Sequence, residues 1–215
     1  MDLLDTLRSN GAVRGFTDAP VSDATVAAVL EAARFAPSGG NRQPWRVAVV
    51  KDGALRQTMA GLMRPVWQEY CGANAVGQRP FVMGRSIDAP PVDVPNALID
   101  EIATVPVVLA IAANLQEIAI MDGNLDRPPV VGGASIYPFC WSILLAARAH
   151  GLGGVMTTFL SRAEPAAAPA LGLPADHALV ATIFLGVPTH QNTKLRRNPV
   201  NSFATVDRFD GDSFG

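Results

Sequence analysis

The residues of this sequence that could do chemistry are arginines, small hydroxyl residues and glycines in four short segments. Guanidinium groups suit anions because their planar fork donates two parallel hydrogen bonds. Glycines let the backbone approach a flat ligand closely. None of the segments contains an obvious nucleophile or acid–base pair, which favours a bound redox cofactor that carries the difficult chemistry itself. The candidate residues are Arg14, Pro37, Ser38, Gly39, Asn41, Thr157, Thr158, Arg196 and Arg197.

Common catalytic motifs are missing or lie in the wrong context. The glycine-rich run at 150–154 (HGLGG) follows a predicted helix, and its spacing differs from GxGxxG, which argues against a Rossmann site. The sequence has no P-loop, and 133–137 (GASIY) lacks the second glycine of the GxSxG hydrolase elbow. The three histidines are widely separated with no HxxxH or HxH pair, so we expect no metal site.

Length and composition predict one domain that spans residues 1–215, because 215 residues with 49% hydrophobic side chains suffice for a single core. The net charge of −2 offers no basic surplus for nucleic acid or an anionic membrane surface. The amino terminus lacks a leader pattern and no stretch approaches the roughly 18 apolar residues of a membrane span, so we expect a cytoplasmic protein. Cys71 and Cys140 are expected to be unpaired thiols.

Helical periodicity and β-branched runs alternate along the chain, which predicts a mixed helix and strand protein. The predicted helices cover 2–9, a segment capped by Ser22, 54–69, 135–150 and a segment with a capping box of Ser161 and Glu164. The predicted strands cover 45–50, 106–113, 155–159 and 178–185.

Two segments lack a sustained hydrophobic period. Residues 71–104 contain many glycines and prolines, and we expect a lid-like excursion over the surface. The polar tail, 187–215, is either a disordered end or an arm that gains order by wrapping a partner. The resemblance described next favours the arm.

Three segments together resemble the nitroreductase family: 13–21 (VRGFTDAPV), 36–45 (APSGGNRQPW) and 186–199 (GVPTHQNTKLRRNP). Their order and separations, and the apolar helix that ends in HGLGG, are similar to the family over nearly the whole chain except 71–104. The resemblance implies an α+β fold with a central, mainly antiparallel sheet flanked by helices. It also implies an intertwined homodimer with flavin mononucleotide (FMN) between its subunits, and NADH or NADPH as co-substrate.

The resemblance also implies roles for the candidate residues. Arg14 would reach the pyrimidine edge of the flavin, where a cation stabilises negative charge on the reduced ring. Residues 37–41 would contact the flavin from the opposite subunit. The backbone around Thr157 and Thr158 would hydrogen-bond the ring near N5 and O4. Either Arg196 or Arg197 would bind the phosphate.

One departure from the family pattern concerns the phosphate. Many similar proteins carry an arginine and a serine before the segment that contains Arg14, whereas this chain has residues 10–12 (NGA). Two side-chain contacts to phosphate are therefore missing. Arg8 could replace them, or the amides of residues 10–12 could bind phosphate as a backbone nest.

The activity implied by the resemblance is ping-pong hydride transfer through flavin N5 from NAD(P)H to an electron-poor acceptor, such as a nitroaromatic, quinone or enone. One alternative is a specialised flavin reaction, namely dehalogenation, oxidation of a metabolite or fragmentation of flavin itself. Another is a flavin-binding carrier or sensor without turnover. Pyridine-nucleotide oxidation with several acceptors distinguishes these alternatives.

Overall fold

The computed structural model describes residues 2–82, 86 and 88–215, in which helices pack on both faces of one antiparallel sheet. The predicted α+β class with a central antiparallel sheet is confirmed. The helices of the described residues are Leu3–Ser9 (α1), Asp23–Ala33 (α2), Gly53–Ala75 (α3), Ala97–Asp100 (α4), Tyr137–Ala149 (α5), Phe159–Arg162 (α6) and Glu164–Leu171 (α7).

The sheet of the described residues has four strands: Trp45–Val49 (β1), Val107–Asn114 (β2), Gly153–Thr157 (β3) and His177–Gly186 (β4). The strand order is β1-β2-β4-β3, and each neighbouring pair is antiparallel. The two central strands are almost continuously buried, because helices cover both of their faces. Strands β1 and β3 lie at the edges.

Helices α2 and α5 cover one face of the sheet. Side chains alternate along a strand, so every second residue of β2, such as Leu109 and Ile111, points to this face. Ile143 of α5 is fully buried there, and Phe139 stacks on Trp45 with 4.6 Å between ring centroids. The apolar helix predicted over 135–150 therefore covers the sheet core.

Helices α3, α4 and α7 cover the opposite face, where Phe184 of β4 belongs to the same buried cluster as Met59 and Met63 of α3. The buried Arg56 of α3 connects the segment that follows β1 with the segment that precedes β2. Its Nε donates to the carbonyl of Val50 at 2.9 Å, and its Nη1 donates to the carbonyl of Val105 at 2.7 Å. The guanidinium thus satisfies backbone acceptors at the end of β1 and just before β2.

Helix α3 is longer than the helix predicted over 54–69. It begins after Asp52, whose carboxylate accepts from the Leu55 amide at 2.7 Å, and it continues to Ala75. Gly72, which the sequence pattern interpreted as a break, lies inside the helix. A Cβ atom there would collide with the carbonyl of Pro90, so this glycine serves close packing and not a turn.

The predicted excursion 71–104 therefore has different boundaries in the structure. Its first residues complete α3, and its last residues include α4, whose Leu98 and Ile99 are buried in the core. The sequence pattern missed α4 because it has only four residues, capped by the Asn96 side chain. The central part of the excursion, residues 83–85 and 87, lies outside the described residues.

Strand β3 covers Gly153–Thr157, two residues earlier than the predicted strand 155–159. Its first two residues are glycines, which have low strand propensity. Here they pair with Gly186 and Leu185 of β4. Glycine is needed at both positions because Val13 and Leu185 occupy the space that a side chain would fill. Tertiary packing overrides propensity at this edge.

The predicted capping box of Ser161 and Glu164 is wrong. Helix α6 already begins at Phe159, and α7 begins at Glu164 without a side-chain cap. The Glu164 carboxylate instead accepts from the backbone amide of Leu179 in β4 at 2.5 Å. A contact with a distant strand has replaced the local one.

Candidate functional site

A cavity of about 560 Å³ opens at the end of β3, between this strand and helices α3 and α4. Its volume lies within the range of small-molecule and cofactor sites, roughly 300–1,000 Å³. One side of the cavity is polar and the other is aromatic. The lining residues are Arg14, Trp67, Tyr70, Pro95, Asn96, Ala97, Leu98, Val155, Met156, Thr157, Thr158 and Phe159.

The polar side joins Arg14, Thr157 and Thr158, three of the residues predicted from the sequence. Arg14 is placed by the residue before it, since the Val13 amide donates to the Gly154 carbonyl at 2.9 Å. Among the described residues, Arg14 forms no salt bridge. Its positive charge is therefore available to an anionic or electron-rich ligand.

Thr157 supplies a polar atom that the folded chain leaves without a partner. It ends β3 opposite Thr182 of β4, and its Oγ1 is buried with no hydrogen bond to any described residue. A buried hydroxyl without a partner costs free energy, about 1–3 kcal/mol. A ligand in the cavity with a hydrogen-bonding edge would remove this cost.

The aromatic side consists of Trp67, Tyr70 and Phe159, which the sequence analysis missed. The Trp67 and Tyr70 rings stack at 5.5 Å between centroids, and Phe159 packs edge-on against both. Trp67 and Tyr70 are three residues apart, so they share a face of α3. That spacing was the available signal, but the predicted helix ended at residue 69.

The predicted loop residues 37–41 do not line this cavity of their own chain. The Ser38 hydroxyl accepts from the Gln43 amide at 3.0 Å, and the Gly39 amide donates to Ser135 Oγ at 3.0 Å. Pro37, Gly39 and Asn41 are exposed. The loop is thus fixed by Ser135, just before α5, with its other side open to solvent.

The tail arginines also lie outside the cavity lining, but the tail packs beside residues 9–11. The Gln191 side-chain amide donates to the carbonyls of Ser9 and Gly11, both at 3.3 Å. The side chain of Leu195 lies against Gly11. The exposed Arg196 and Arg197 follow directly, so the tail holds them next to the loop that departs from the family pattern.

The two cysteines do not add a nucleophile to the site. Burial raises the pKa of the Cys140 thiol to about 12, and burial beside Asp93 raises the pKa of Cys71. Both thiols are therefore protonated near neutral pH. In the described residues, no group of three or more His, Cys, Asp or Glu side chains could hold a metal ion.

In the parts of the chain that the structure describes, no helix combines the length and apolar content needed to cross a bilayer.

Comparison with known proteins assigns the class. The fold is that of an α+β protein with a cavity beside β3, an edge strand of its sheet. The sequence pattern of the nitroreductase family matches residues 8–187, which is most of the chain. The chain belongs to the nitroreductase family. The matched region ends before Arg196 and Arg197.

Relatives with different names are similar to the chain at the same level. It is 30% identical over 188 residues to 5,6-dimethylbenzimidazole synthase of Rhodospirillum rubrum, covering 84% of this chain and 79% of the relative. It is 30% identical over 195 residues to NADH dehydrogenase of Thermus thermophilus, covering 87% of each.

Solved structures agree on the fold. The crystal structure of a protein from Desulfovibrio desulfuricans, described as a nitroreductase in complex with FMN, superposes with a TM-score of 0.71 at 22% identity. The match covers 97% of this chain and 98% of that one.

Proposed function

We propose that this protein is an FMN-dependent oxidoreductase that uses NADH or NADPH to reduce an electron-poor acceptor. The observation that carries the proposal is the meeting of Arg14 with Thr157 and Thr158 in one cavity, although they are distant in sequence. Family membership supports an oxidoreductase, and the names of the relatives support a pyridine-nucleotide donor and FMN.

The residues of the cavity fit FMN. The buried Thr157 Oγ1 without a partner matches a ring that carries hydrogen-bonding atoms along one edge. The guanidinium of Arg14 matches the electron-rich pyrimidine edge, and the aromatic side offers faces for a flat molecule. The volume of about 560 Å³ suits a cofactor of this size with space for a second flat molecule.

When bound, FMN supplies the hydride chemistry, taking two electrons from the nicotinamide and delivering them to a nitroaromatic, quinone or enone in a ping-pong cycle. Arg14 stabilises negative charge at the polar side of the cavity. Thr157 and the backbone of Thr157 and Thr158 orient the ring edge by hydrogen bonds. The aromatic side excludes water from the opposite wall, which strengthens both electrostatic contacts.

The phosphate of FMN is held by the tail. Gln191 and Leu195 contact residues 9–11, and Arg196 or Arg197, which follow Leu195 directly, makes a charge-assisted bond to the phosphate. Arg8 belongs to the last turn of α1 and is the other cation near this loop. The phosphate contact therefore depends on tertiary packing of the tail.

The active unit is a homodimer whose cavities are each completed by residues 37–41 of the second subunit. Tyr137 and Trp141 lie four residues apart on α5 and are 42% and 39% exposed, so they share an apolar outer face. Ser135 joins the loop 37–41 to the start of the same helix. A second copy packed on α5 would therefore also contact this loop.

The test of the proposed function is direct. Purified protein is titrated with FMN and with riboflavin, and NADH and NADPH oxidation is followed with a nitroarene, a quinone and an enone. We expect FMN binding with flavin absorption bands and acceptor-dependent oxidation. Failure to bind FMN would overturn the proposal, and FMN binding without turnover would indicate a carrier or sensor.

A second candidate is synthesis of 5,6-dimethylbenzimidazole, since one relative with 30% identity carries that name. The two candidate reactions differ in their products. A reductase oxidises one NAD(P)H for each two-electron reduction of the acceptor, and FMN is conserved. The synthase would form 5,6-dimethylbenzimidazole, which chromatography of the reaction mixture would detect.

A further inference from the structure

Residues 90–96 run along α3 and form part of the cavity wall. Three contacts fix this segment to the helix. The carbonyl of Pro90 lies against Gly72, the Val92 amide donates to the Gln68 carbonyl at 3.0 Å, and the Trp67 indole Nε1 donates to the Val94 carbonyl at 2.6 Å. Pro95 and Asn96, which follow, line the cavity.

The contact from Trp67 differs from the other two because Trp67 itself belongs to the cavity wall. Its ring is held from both sides, stacked on Tyr70 and packed edge-on by Phe159. An indole fixed in this way has little freedom to turn, so its N–H holds the Val94 carbonyl in one place. The indole thus connects the aromatic side of the cavity with the segment 90–96.

A second set of contacts fixes the neighbouring end of the aromatic side. The Arg162 guanidinium forms a bidentate salt bridge with Glu69, in which Nη2 donates to Oε1 at 2.8 Å and Nε donates to Oε2 at 3.2 Å. The same guanidinium lies 4.5 Å from the ring centroid of Phe81, which packs near Tyr70. The aromatic side is therefore held in place by contacts within the chain.

We propose that Trp67 is a specificity-determining residue for the acceptor, because its hydrogen bond to Val94 sets the width of the cavity at Pro95 and Asn96. The cavity of about 560 Å³ must take both the flavin ring and the molecule stacked on it, which leaves a narrow slot. The slot accepts planar acceptors with an aromatic or quinonoid ring and excludes acceptors with branched substituents. This inference rests on the proposed function.

The main test is Trp67→Phe, which keeps a flat ring and removes the N–H. We measure kcat/KM for planar 1,4-naphthoquinone, for branched 2,6-di-tert-butyl-1,4-benzoquinone, and for ferricyanide. Loss of one hydrogen bond should raise the ratio of branched to planar kcat/KM by about fivefold. FMN affinity and the ferricyanide rate are measured for each variant, so that a change common to all acceptors can be separated from a change in the branched-to-planar ratio.

A second readout needs no bound flavin. Amide hydrogen exchange in FMN-free protein reports the attachment of residues 88–96 to α3, because the Val92 amide is bonded to the Gln68 carbonyl. Trp67→Phe should accelerate exchange at Val92 by about fivefold. Gly72→Ala, which displaces Pro90 instead, should change the acceptor ratio in the same direction.

Trp45→Phe is the matched control, because Trp45 stacks on Phe139 on the other face of the sheet and lies outside the cavity. It should leave both readouts unchanged. An unchanged acceptor ratio in Trp67→Phe would overturn the inference. A changed ratio without faster exchange at Val92 would also overturn it, since the indole ring would then act on the acceptor directly and not through the hydrogen bond to Val94. If wild-type protein neither binds FMN nor oxidises NAD(P)H, the proposed function fails. Unchanged exchange at Val92 in FMN-free Trp67→Phe would separately refute the attachment of residues 90–96 by Trp67.

Discussion

The backbone of Gly153 lies directly against the side chain of Val13, so that a Cβ atom at Gly153 would be 2.6 Å from Val13 Cγ2. This contact lets the Val13 amide reach the Gly154 carbonyl at 2.9 Å, and it thereby places the next residue, Arg14, beside β3. The contact between Val13 and Gly153 thus positions both β3, at the edge of the sheet, and Arg14, the cationic residue of the cavity.

Gly153→Ala should therefore weaken FMN binding by about tenfold, because the added methyl forces Val13 and with it Arg14 to move. Isothermal titration of FMN into apoprotein measures the effect. Val13→Ala combined with Gly153→Ala makes space for the methyl and should recover part of the affinity. Equal affinity of wild type and Gly153→Ala would show that this contact does not position the site.

Arg14→Ala should lower FMN affinity or slow flavin reduction by NAD(P)H, by about 10- to 100-fold, since it removes the cation expected beside the reduced ring. Fluorescence titration and stopped-flow reduction measure the two effects. Arg46→Ala, at an exposed arginine of β1 outside the cavity, is the control. If Arg14→Ala changes neither quantity, Arg14 does not contact the flavin.

Replacing both Arg196 and Arg197 with alanine should weaken FMN binding by about 2–4 kcal/mol if one of them bonds the phosphate. Riboflavin, which lacks the phosphate, should bind both proteins equally well. Arg208→Ala is the control in the same tail, where Arg208 pairs with Asp210. A wild-type protein that binds riboflavin as tightly as FMN would have no phosphate site.

Gln191→Leu tests the route by which the tail is held. It removes the amide donor to Ser9 and Gly11 while keeping a side chain of similar size. We expect weaker binding of FMN and unchanged binding of riboflavin, in the same direction as the double arginine variant but smaller. An effect of equal size on both flavins would indicate general loss of structure instead.

Mixing two inactive variants tests the shared site. One variant carries Arg14→Ala, and the other carries Ser38→Ala with Asn41→Ala. After gentle dissociation and reassociation, each heterodimer should contain one intact cavity and recover up to half of the activity per dimer. Light scattering that detects an active, FMN-loaded monomer, or proven heterodimers without recovered activity, would refute the shared site.

The buried carboxylate of Asp122 should make the stability of the fold depend on pH in the acid range. It accepts from the Val130 amide at 2.8 Å and from Arg127 at 2.7 Å, and the bond from Val130 is the larger cause that lowers the pKa of Asp122. A lowered folded-state pKa stabilises the protein fully above the unfolded value, about 3.9, and this stabilisation is lost as the pH falls through the folded-state value.

Urea unfolding at a series of pH values measures this contribution. Asp122→Asn should be less stable than wild type at neutral pH, and the difference should shrink as the pH falls below about 4. Asp126→Asn is the matched control on the same loop, since Asp126 is exposed. A stability difference that stays constant with pH would show that Asp122 acts only through packing.

Local patterns in the sequence were sufficient to predict most of the helices and strands. The Ser22 cap, the apolar stripe of α2 and the runs that became β1, β2 and β4 are each contained within a short window. Hydrophobic periodicity and caps operate over a few residues, so such elements can be recognised without the fold. The resemblance of three segments likewise identified the family and the fold class.

Only the tertiary structure decided the site. Arg14 and Thr157 share a cavity because Val13 packs on Gly153, and the aromatic side exists because α3 continues past residue 69, with Gly72 against Pro90. The Glu164 carboxylate binds the Leu179 amide and not a local cap. These outcomes depend on contacts between residues far apart in the chain, whose free energy is gained only when the whole core packs, so local propensity carries no signal for them.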